Sequence, residues 1–255
     1  MTLIPETTWL ACPKPKPNAA LRLFCFPYAG GGSALFMNWP DLLPQSVEVC
    51  AARLPGRGAR MKERPFTNLS EMVGTISETI APFLNKPFAF FGHSMGAMIS
   101  FELARRLRRE GQPAPERLFV SGRRAPQLRC TDPPTYNLPD AEFIRELKTL
   151  NGTPPEVLMN EELVRLVMPL LRSDFQVCQT HEYTPEAPLA CAITAMGGIE
   201  DEEAQEGRLD AWKEQTTSSF SLRIMPGDHF YLHKYESLFF RTLLSELADL
   251  DVRVK

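Results

Sequence analysis

The stretch FAFFGHSMGAMISFELARRL, Phe88 to Leu107, changes its period halfway along. It opens on a continuous apolar run, the pattern of a strand buried on both faces. After Met95 the apolar residues recur at Ala97, Phe101, Ala104 and Leu107, one face of a helix. That run ends in basic residues and then Gly111, a helix C-terminus signal. At the junction sits Gly92-His93-Ser94-Met95-Gly96, a G-x-S-x-G pentapeptide. Glycine and serine are common, so the pentapeptide says little alone; the strand before it and the helix after it give it meaning. A serine there occupies a strained turn, and the flanking glycines let backbones cross where a Cβ would clash. The hydroxyl then projects above the sheet beside a helix N-terminus, which favours negative charge. The plainer reading is a serine that caps the helix and does nothing else.

Working outward, LRLFCF (21–26), VEVCAARL (47–54), RLFVSG (117–122), CAITAMGG (191–198) and SFSLRIMPG (219–227) read as further strands, each closed by glycine or proline signals or by polar residues. Helices are predicted over 69–84, 95–110, about 202–216 and 235–248. Alternating apolar strands and helices give an α/β fold, a mostly parallel central sheet flanked by helices. The segment 126–184 breaks the rhythm: it is helical in pattern, with proline-rich joints (DPPTYNLP, GTPPE) and no clear strand. It is expected to be an inserted helical cap over the C-terminal edge of the sheet, where ligands bind in such folds. The core would then be 1–125 and 185–255. Ordinary helices on the sheet flank are the other reading of the insertion. The first twenty residues, rich in Pro and Lys, read as a loosely held leader.

A nucleophilic serine needs a base, and the base needs an orienting acid. Where such a junction serves catalysis, acid and base follow the serine in chain order. The chain has four histidines. His93 adjoins the serine with its ring expected to point away, and His181 lies in the insertion. His229, in MPGDHFYLH directly after the last strand, is the candidate base. His233 lies four residues on, but a zinc motif H-E-x-x-H needs Glu where Phe230 stands, so no metal site is expected. The acid should follow CAITAMGG: Asp201 is the first candidate and Glu200 the second. Asp228 adjoins His229, and neighbouring side chains in extended chain point apart. Glu202 and Glu203 read as a solvated acidic helix start. The loop FPYAGGG (26–32) is placed to offer a backbone N–H to an oxyanion, from Ala29 or Tyr28, with Met95 supplying the second. It lacks the G-K-[ST] or G-x-G-x-x-G pattern of a phosphate loop.

Composition narrows the rest. The 255 residues are 44% hydrophobic and 23% charged, with net charge −3, ordinary globular values that offer nucleic acid no broad basic field. No run reaches membrane-spanning length, and the N-terminal twenty residues lack a signal-peptide pattern, so a cytoplasmic protein with no membrane partner is expected. The six cysteines (12, 25, 50, 130, 178, 191) form no C-x-x-C pair and read as reduced thiols.

The motifs FCFPYAGGGSALF, ARLPGRGAR, FAFFGHSMGAMISFELARRL, LPDAEFIRELKTLNGTPPEVL, PLLRSDF and MPGDHFYL together resemble the type II thioesterases. These are the stand-alone α/β-hydrolases that accompany nonribosomal peptide and polyketide synthases. The resemblance runs from about Leu21 to Leu247, and the insertion motifs are its most specific part. It implies a triad of Ser94, Asp201 and His229, a flexible lid over about 126–184, no cofactor, and a monomer. The implied substrates are short or stalled acyl groups on the phosphopantetheine arm of carrier proteins. Two departures are visible: Asp228 where the family more often has glycine, and Gly58 where a larger polar residue is frequent. Other readings are a medium-chain fatty acyl carrier thioesterase, a carboxylesterase or lipase, and a non-catalytic interaction protein on a hydrolase scaffold. The basic clusters RLPGRGARMKER (53–64) and RRAPQLR (123–129) are candidate carrier-docking surfaces, with the apolar faces of 143–150 and 163–171 expected over the acyl pocket.

Overall fold

A computed structural model describes residues 8–128, 132–150, 152, 155–202, 205 and 207–251. Its strands are β1 (Leu10–Ala11), β2 (Leu21–Phe26), β3 (Val47–Ala52), β4 (Phe88–His93), β5 (Arg117–Ser121), β6 (Ala192–Gly198) and β7 (Phe220–Met225). They form one sheet in the order β1-β3-β2-β4-β5-β6-β7, parallel except for β1, which runs antiparallel to β3. The helices are α1 (Trp39–Leu42), α2 (Leu69–Ile80), α3 (Met95–Arg109), α4 (Asp140–Thr149), α5 (Pro155–Leu158), α6 (Glu161–Thr180), α7 (Tyr231–Lys234) and α8 (Glu236–Asp251). Every residue of β2 to β6 is buried, as continuous apolar runs demand of strands covered on both faces.

Two apolar layers follow. One joins β2 and β4 to α2 and α3 through Phe24, Phe90, Met72 and Phe101. The other joins the opposite face of the sheet to α8 through Phe91, Phe119, Phe239 and Leu243. Between β5 and β6 the described chain contains α4, α5 and α6 and adds no strand. Phe143 and Leu147 of α4 pack with Met168 and Leu171 of α6 in a separate small cluster. The two apolar faces are therefore spent largely on each other, while Leu150, Leu163 and Leu166 stay exposed.

Two expectations need correction. Residues 8–20 are not a loose leader: Leu10 and Ala11 pair with β3, and Cys12 is buried beside them. Lys16 holds this segment down by donating to the carbonyls of Pro40, Leu43 and Pro44 at 3.0–3.2 Å. A two-residue strand is too short to leave a periodic pattern, and Pro13, Pro15 and Pro17 after it read as loop. The helix predicted over 202–216 is instead a 3-10 segment at Asp210–Gln215, with Trp212 buried. Glu203 of its predicted start lies outside the described residues, as do Arg129 and Cys130.

The crossing of α3 over the sheet is fixed by glycine. A Cβ on Gly92 would sit 1.9 Å from the Gly96 oxygen, and one on Gly96 would sit 2.1 Å from the oxygen of Phe26. Both contacts are with backbone, which cannot rotate aside. Gly96→Ala must therefore push α3 off β2. Urea denaturation is expected to show a loss of about 3 kcal/mol or more, the upper range for overpacking a rigid site, and activity should fall even where the chain still folds.

Candidate active site

Ser94 stands between β4 and α3 with φ +55° and ψ −112°. It is the one non-glycine residue with positive φ among the described residues, a conformation that costs of order 1–3 kcal/mol. Its backbone N–H donates to the Ser121 carbonyl at 2.7 Å, which ties the turn to the end of β5. Its side chain makes no capping hydrogen bond to α3, so the plain cap reading has lost its basis. Met95 follows as the first residue of α3, and its N–H belongs to the unpaired donors of a helix N-terminus. Gly96 meets the carbonyls of Phe26 and Pro27, which brings the loop after β2 beside the start of α3. In that loop Gly31 N–H donates to the Tyr28 carbonyl at 2.9 Å, and Gly30 has φ +78°. This is a type II turn with Ala29 at its second position.

Asp201 and His229 come from the neighbouring strand ends. The β6–β7 pairing continues past the strands through Ile199 N–H to the Met225 carbonyl and Glu200 N–H to the Gly227 carbonyl. A Cβ on Gly198 would sit 2.2 Å from the Gly227 oxygen, so the two loops cross backbone to backbone. The crossing sets His229 Nδ1 2.9 Å from Asp201 Oδ2, with the Asp201 residue 5% exposed and the imidazole more open. The ring of His229 lies near Gly122, the residue after Ser121, so it stands beside the strand end that holds Ser94. The alternatives are elsewhere: Glu200 is exposed, and Asp228 Oδ1 accepts the Phe230 N–H at 2.9 Å in a local turn. His181 faces Glu102 at 3.5 Å, away from this group, and His233 meets the Tyr28 hydroxyl at 3.3 Å. Burial raises the Cys25 and Cys50 thiols well above the ordinary value and pushes Cys191 up to about 12, which disfavours these three as thiolate nucleophiles.

His93 departs from expectation. Its ring does not lie remote from the site but packs on that of His229, centroids 4.9 Å apart. Its Nδ1 pairs with Ser121 Oγ at 2.8 Å, and Ser121 Oγ pairs with the Tyr231 hydroxyl at 2.6 Å. Sequence reading missed this buried chain of three polar groups. One signal was present, a lone serine closing the apolar strand RLFVS. Burial, then the neighbouring His229 and His233, hold the His93 pKa well below the ordinary value. Of the basic clusters, Arg57 and Arg60 are buried in internal contacts, and Arg124 lies 4.0 Å from Asp132. In 53–64, Lys62 and Arg64 remain exposed.

A family model, thioesterase domain, matches residues 21–247. The gramicidin S biosynthesis protein GrsT of Aneurinibacillus migulanus is 47% identical over 94% of this chain and 95% of its own length. The solved structure of RedJ, a thioesterase from the prodiginine biosynthetic pathway in Streptomyces coelicolor, superposes with TM-score 0.85 at 34% identity, covering 91% of this chain and 92% of that one. The medium-chain S-acyl fatty acid synthase thioesterase of Rattus norvegicus is 35% identical over 88% of this chain and 86% of its own. The α/β-hydrolase architecture expected from the sequence is that of these relatives.

The neutral buried His93 has a consequence for stability. The unfolded chain takes up its proton near pH 6.5, while the folded chain does so only at lower pH. Stability therefore falls as pH drops below about 6.5, until the folded pKa is reached. Urea titrations of wild type and His93→Asn at pH 7.5, 6.5 and 5.5 should show the shallower decline in the variant. The difference should approach one proton, about 1.4 kcal/mol per pH unit.

Proposed function

The chain belongs to the thioesterase family and is a thioester hydrolase, and on that premise we propose that Ser94, His229 and Asp201 are its triad and that it clears stalled or aberrant acyl groups from carrier proteins. The observation that carries the triad is the His229–Asp201 hydrogen bond beside the strand end that holds the Ser94 turn. Ser94 Oγ attacks the thioester carbonyl while His229 Nε2 takes its proton. Asp201, bonded to Nδ1, holds the tautomer and stabilises the imidazolium. The carbonyl oxygen becomes an oxyanion held by the N–H groups of Met95 and Ala29, each such donor contributing about 3 kcal/mol to the transition state. His229 returns its proton to the departing thiolate, and water, with His229 as base, then hydrolyses the acyl-serine. These steps draw on side chains, backbone and water.

The carrier assignment rests on the similarity to GrsT and RedJ, whose names place them in gramicidin S biosynthesis and in the prodiginine biosynthetic pathway. The partner is accordingly read as the acylated phosphopantetheine arm of a carrier domain in nonribosomal peptide or polyketide synthesis, met by a monomer in the cytoplasm. The insertion 126–184 is read as a lid over the acyl chain. Among the described residues no helix is long and apolar enough to cross a membrane. The similarity to the rat enzyme keeps medium-chain fatty acyl carriers as a second reading.

Ser94→Ala and His229→Ala should each lower kcat by about 10⁴-fold or more, and the double variant should be scarcely worse, because the residues act as one unit. Asp201→Asn should lose about 10³- to 10⁴-fold, with Glu200→Gln and Asp228→Asn far milder. Steady-state kinetics on an acyl-pantetheine thioester reads all of these. A large loss at Glu200 with a mild one at Asp201 would move the acid by one residue.

The carrier reading has its own test. Carrier domains loaded with acetyl, aminoacyl or medium-chain acyl groups are mixed with the enzyme and followed by intact-mass spectrometry. Faster release of the short groups from peptide or polyketide carriers supports editing. A preference for medium-chain groups on a fatty-acid carrier would replace it with the second reading.

A further inference from the structure

Helix α6 carries a carboxylate on its buried face. Asp174 lies in line with Leu171 and Val177 and is fully buried. It is held end-on by Arg57, Nη1 to Oδ2 and Nη2 to Oδ1 both at 2.8 Å. The pair does not stop at itself. Asp174 Oδ2 accepts the backbone N–H of Gly30 at 2.7 Å, and Arg57 Nη1 donates to the carbonyl of Gly31 at 2.9 Å. Arg57 Nε is anchored in turn on the Pro55 carbonyl at 3.2 Å. A buried ion pair is a poor source of stability, since desolvation offsets its attraction and apolar replacements of similar volume are often as good. What this pair adds beyond an apolar contact is a grip on the glycine-rich loop at two peptide groups, 29–30 and 31–32.

That grip falls on the soft part of the loop. In the type II turn from Tyr28 to Gly31, the central peptide between Ala29 and Gly30 faces α6 with its N–H. Types I and II differ by a flip of that central peptide, through ψ of Ala29 and φ of Gly30. With the N–H unheld, both forms are open to a glycine, and the flip disturbs the adjoining peptide that carries the Ala29 N–H. Contact with the helix selects the same state: a Cβ at Gly30 would meet Leu171 Cδ2 at 2.7 Å, so α6 lies directly on the turn.

We propose that Asp174, locked by Arg57, is a positioning residue for the reaction: from α6 it fixes the turn that presents the Ala29 N–H to the oxyanion. The proposal rests on the reading of Ala29 as an oxyanion donor. It also makes the segment 161–180 part of the catalytic geometry rather than a passive cover.

The test uses the full chain with an acyl-pantetheine thioester. A trifluoromethyl ketone analogue, whose serine adduct places an oxyanion in the hole, serves as a second probe. Asp174→Asn is made first. The paired variant Arg57→Met/Asp174→Leu leaves no unmatched buried charge and keeps the test alive should the single variant fold poorly; circular dichroism establishes that it is folded. The paired variant is expected to lose about 10- to 100-fold in kcat, part of the 10²- to 10³-fold that follows loss of a whole donor. KM should stay within about threefold, the pattern of an interaction made only in the transition state, and ketone affinity should fall by the same factor as kcat. Asp174→Asn, which keeps one acceptor, should fall between. A folded paired variant with wild-type kcat and ketone affinity, or one that raises KM alone, overturns the proposal. Ala29→Pro separates the two layers, because proline suits the second position of a type II turn and deletes only the N–H. If Ala29→Pro keeps its kcat, the oxyanion reading fails and the proposal falls with it. If Ala29→Pro loses activity while the paired variant does not, only the role of Asp174 fails.

Discussion

Backbone crossings at contact distance are the constraint on which the rest of the molecule depends. Gly92 and Gly96 bring α3 against β4 and against the carbonyl that ends β2. Gly198 brings the loop after β6 against the loop after β7. The first crossing sets Ser94 and Met95 beside the turn of Ala29, and the second sets Asp201 against His229. No side chain can mediate such contacts, because at about 2 Å from a Cβ position there is room only for hydrogen. The site is thus assembled by main chain, and the strain at Ser94 is sustained by neighbours that leave its backbone one path.

Charge is distributed along the sheet to match. At the N-terminal ends of the strands, Arg22 pairs with Glu48 at 2.7 Å, both wholly buried, and Arg117 pairs with Glu246 of α8, which also accepts from Thr194 at 2.8 Å. These pairs join neighbouring strands, or a strand and a helix, with their hydrogen-bonding capacity largely used. At the C-terminal ends stand Ser94, His93, Ser121, Asp201 and His229, titratable or nucleophilic groups joined by side-chain contacts such as His93–Ser121 and His229–Asp201. In a parallel sheet the C-terminal edge is where loops diverge and ligands enter. One end of the sheet therefore serves cohesion, the residues of the proposed triad stand at the other, and apolar strands separate the two.

The parts legible in the sequence were those with a local pattern. β2 to β7 are runs long enough to stand out, and the serine junction, the glycine loop and the acid and base candidates follow strand ends that can be located along the chain. β1 was not legible, since its partner, β3, lies some forty residues away and its own length is two residues. The chain His93–Ser121–Tyr231 joins three separate segments, so no spacing announces it. Asp174 is an intermediate case. It interrupts the apolar face of α6 between Leu171 and Val177, and a carboxylate at a core position signals a buried partner. That the partner is Arg57, in a cluster read as a docking surface, depends on a fold that brings residues 57 and 174 together.

The neutrality of His93 bears on the chemistry beside it. The proposed mechanism makes His229 a cation in the transition state, and a second imidazole lies 4.9 Å from it. Were His93 also charged, repulsion at that distance would come to about 3 kcal/mol for an effective dielectric of 20. That is as much as one oxyanion donor contributes, about 3 kcal/mol, so a protonated His93 would cancel half of the hole. The structure avoids this by burial. His93 is 1% exposed, and its Nδ1 is matched to a serine hydroxyl rather than a carboxylate, so burial outweighs the one contact that favours its charged form, a hydrogen bond with the His229 backbone. Tyr231, at the far end of the same chain, is held protonated by its own burial. The result is a neutral, polarisable wall on one side of His229 and a carboxylate on the other. The charge that the proposed mechanism places on His229 is then drawn toward Asp201, whose Oδ2 lies 2.9 Å from Nδ1.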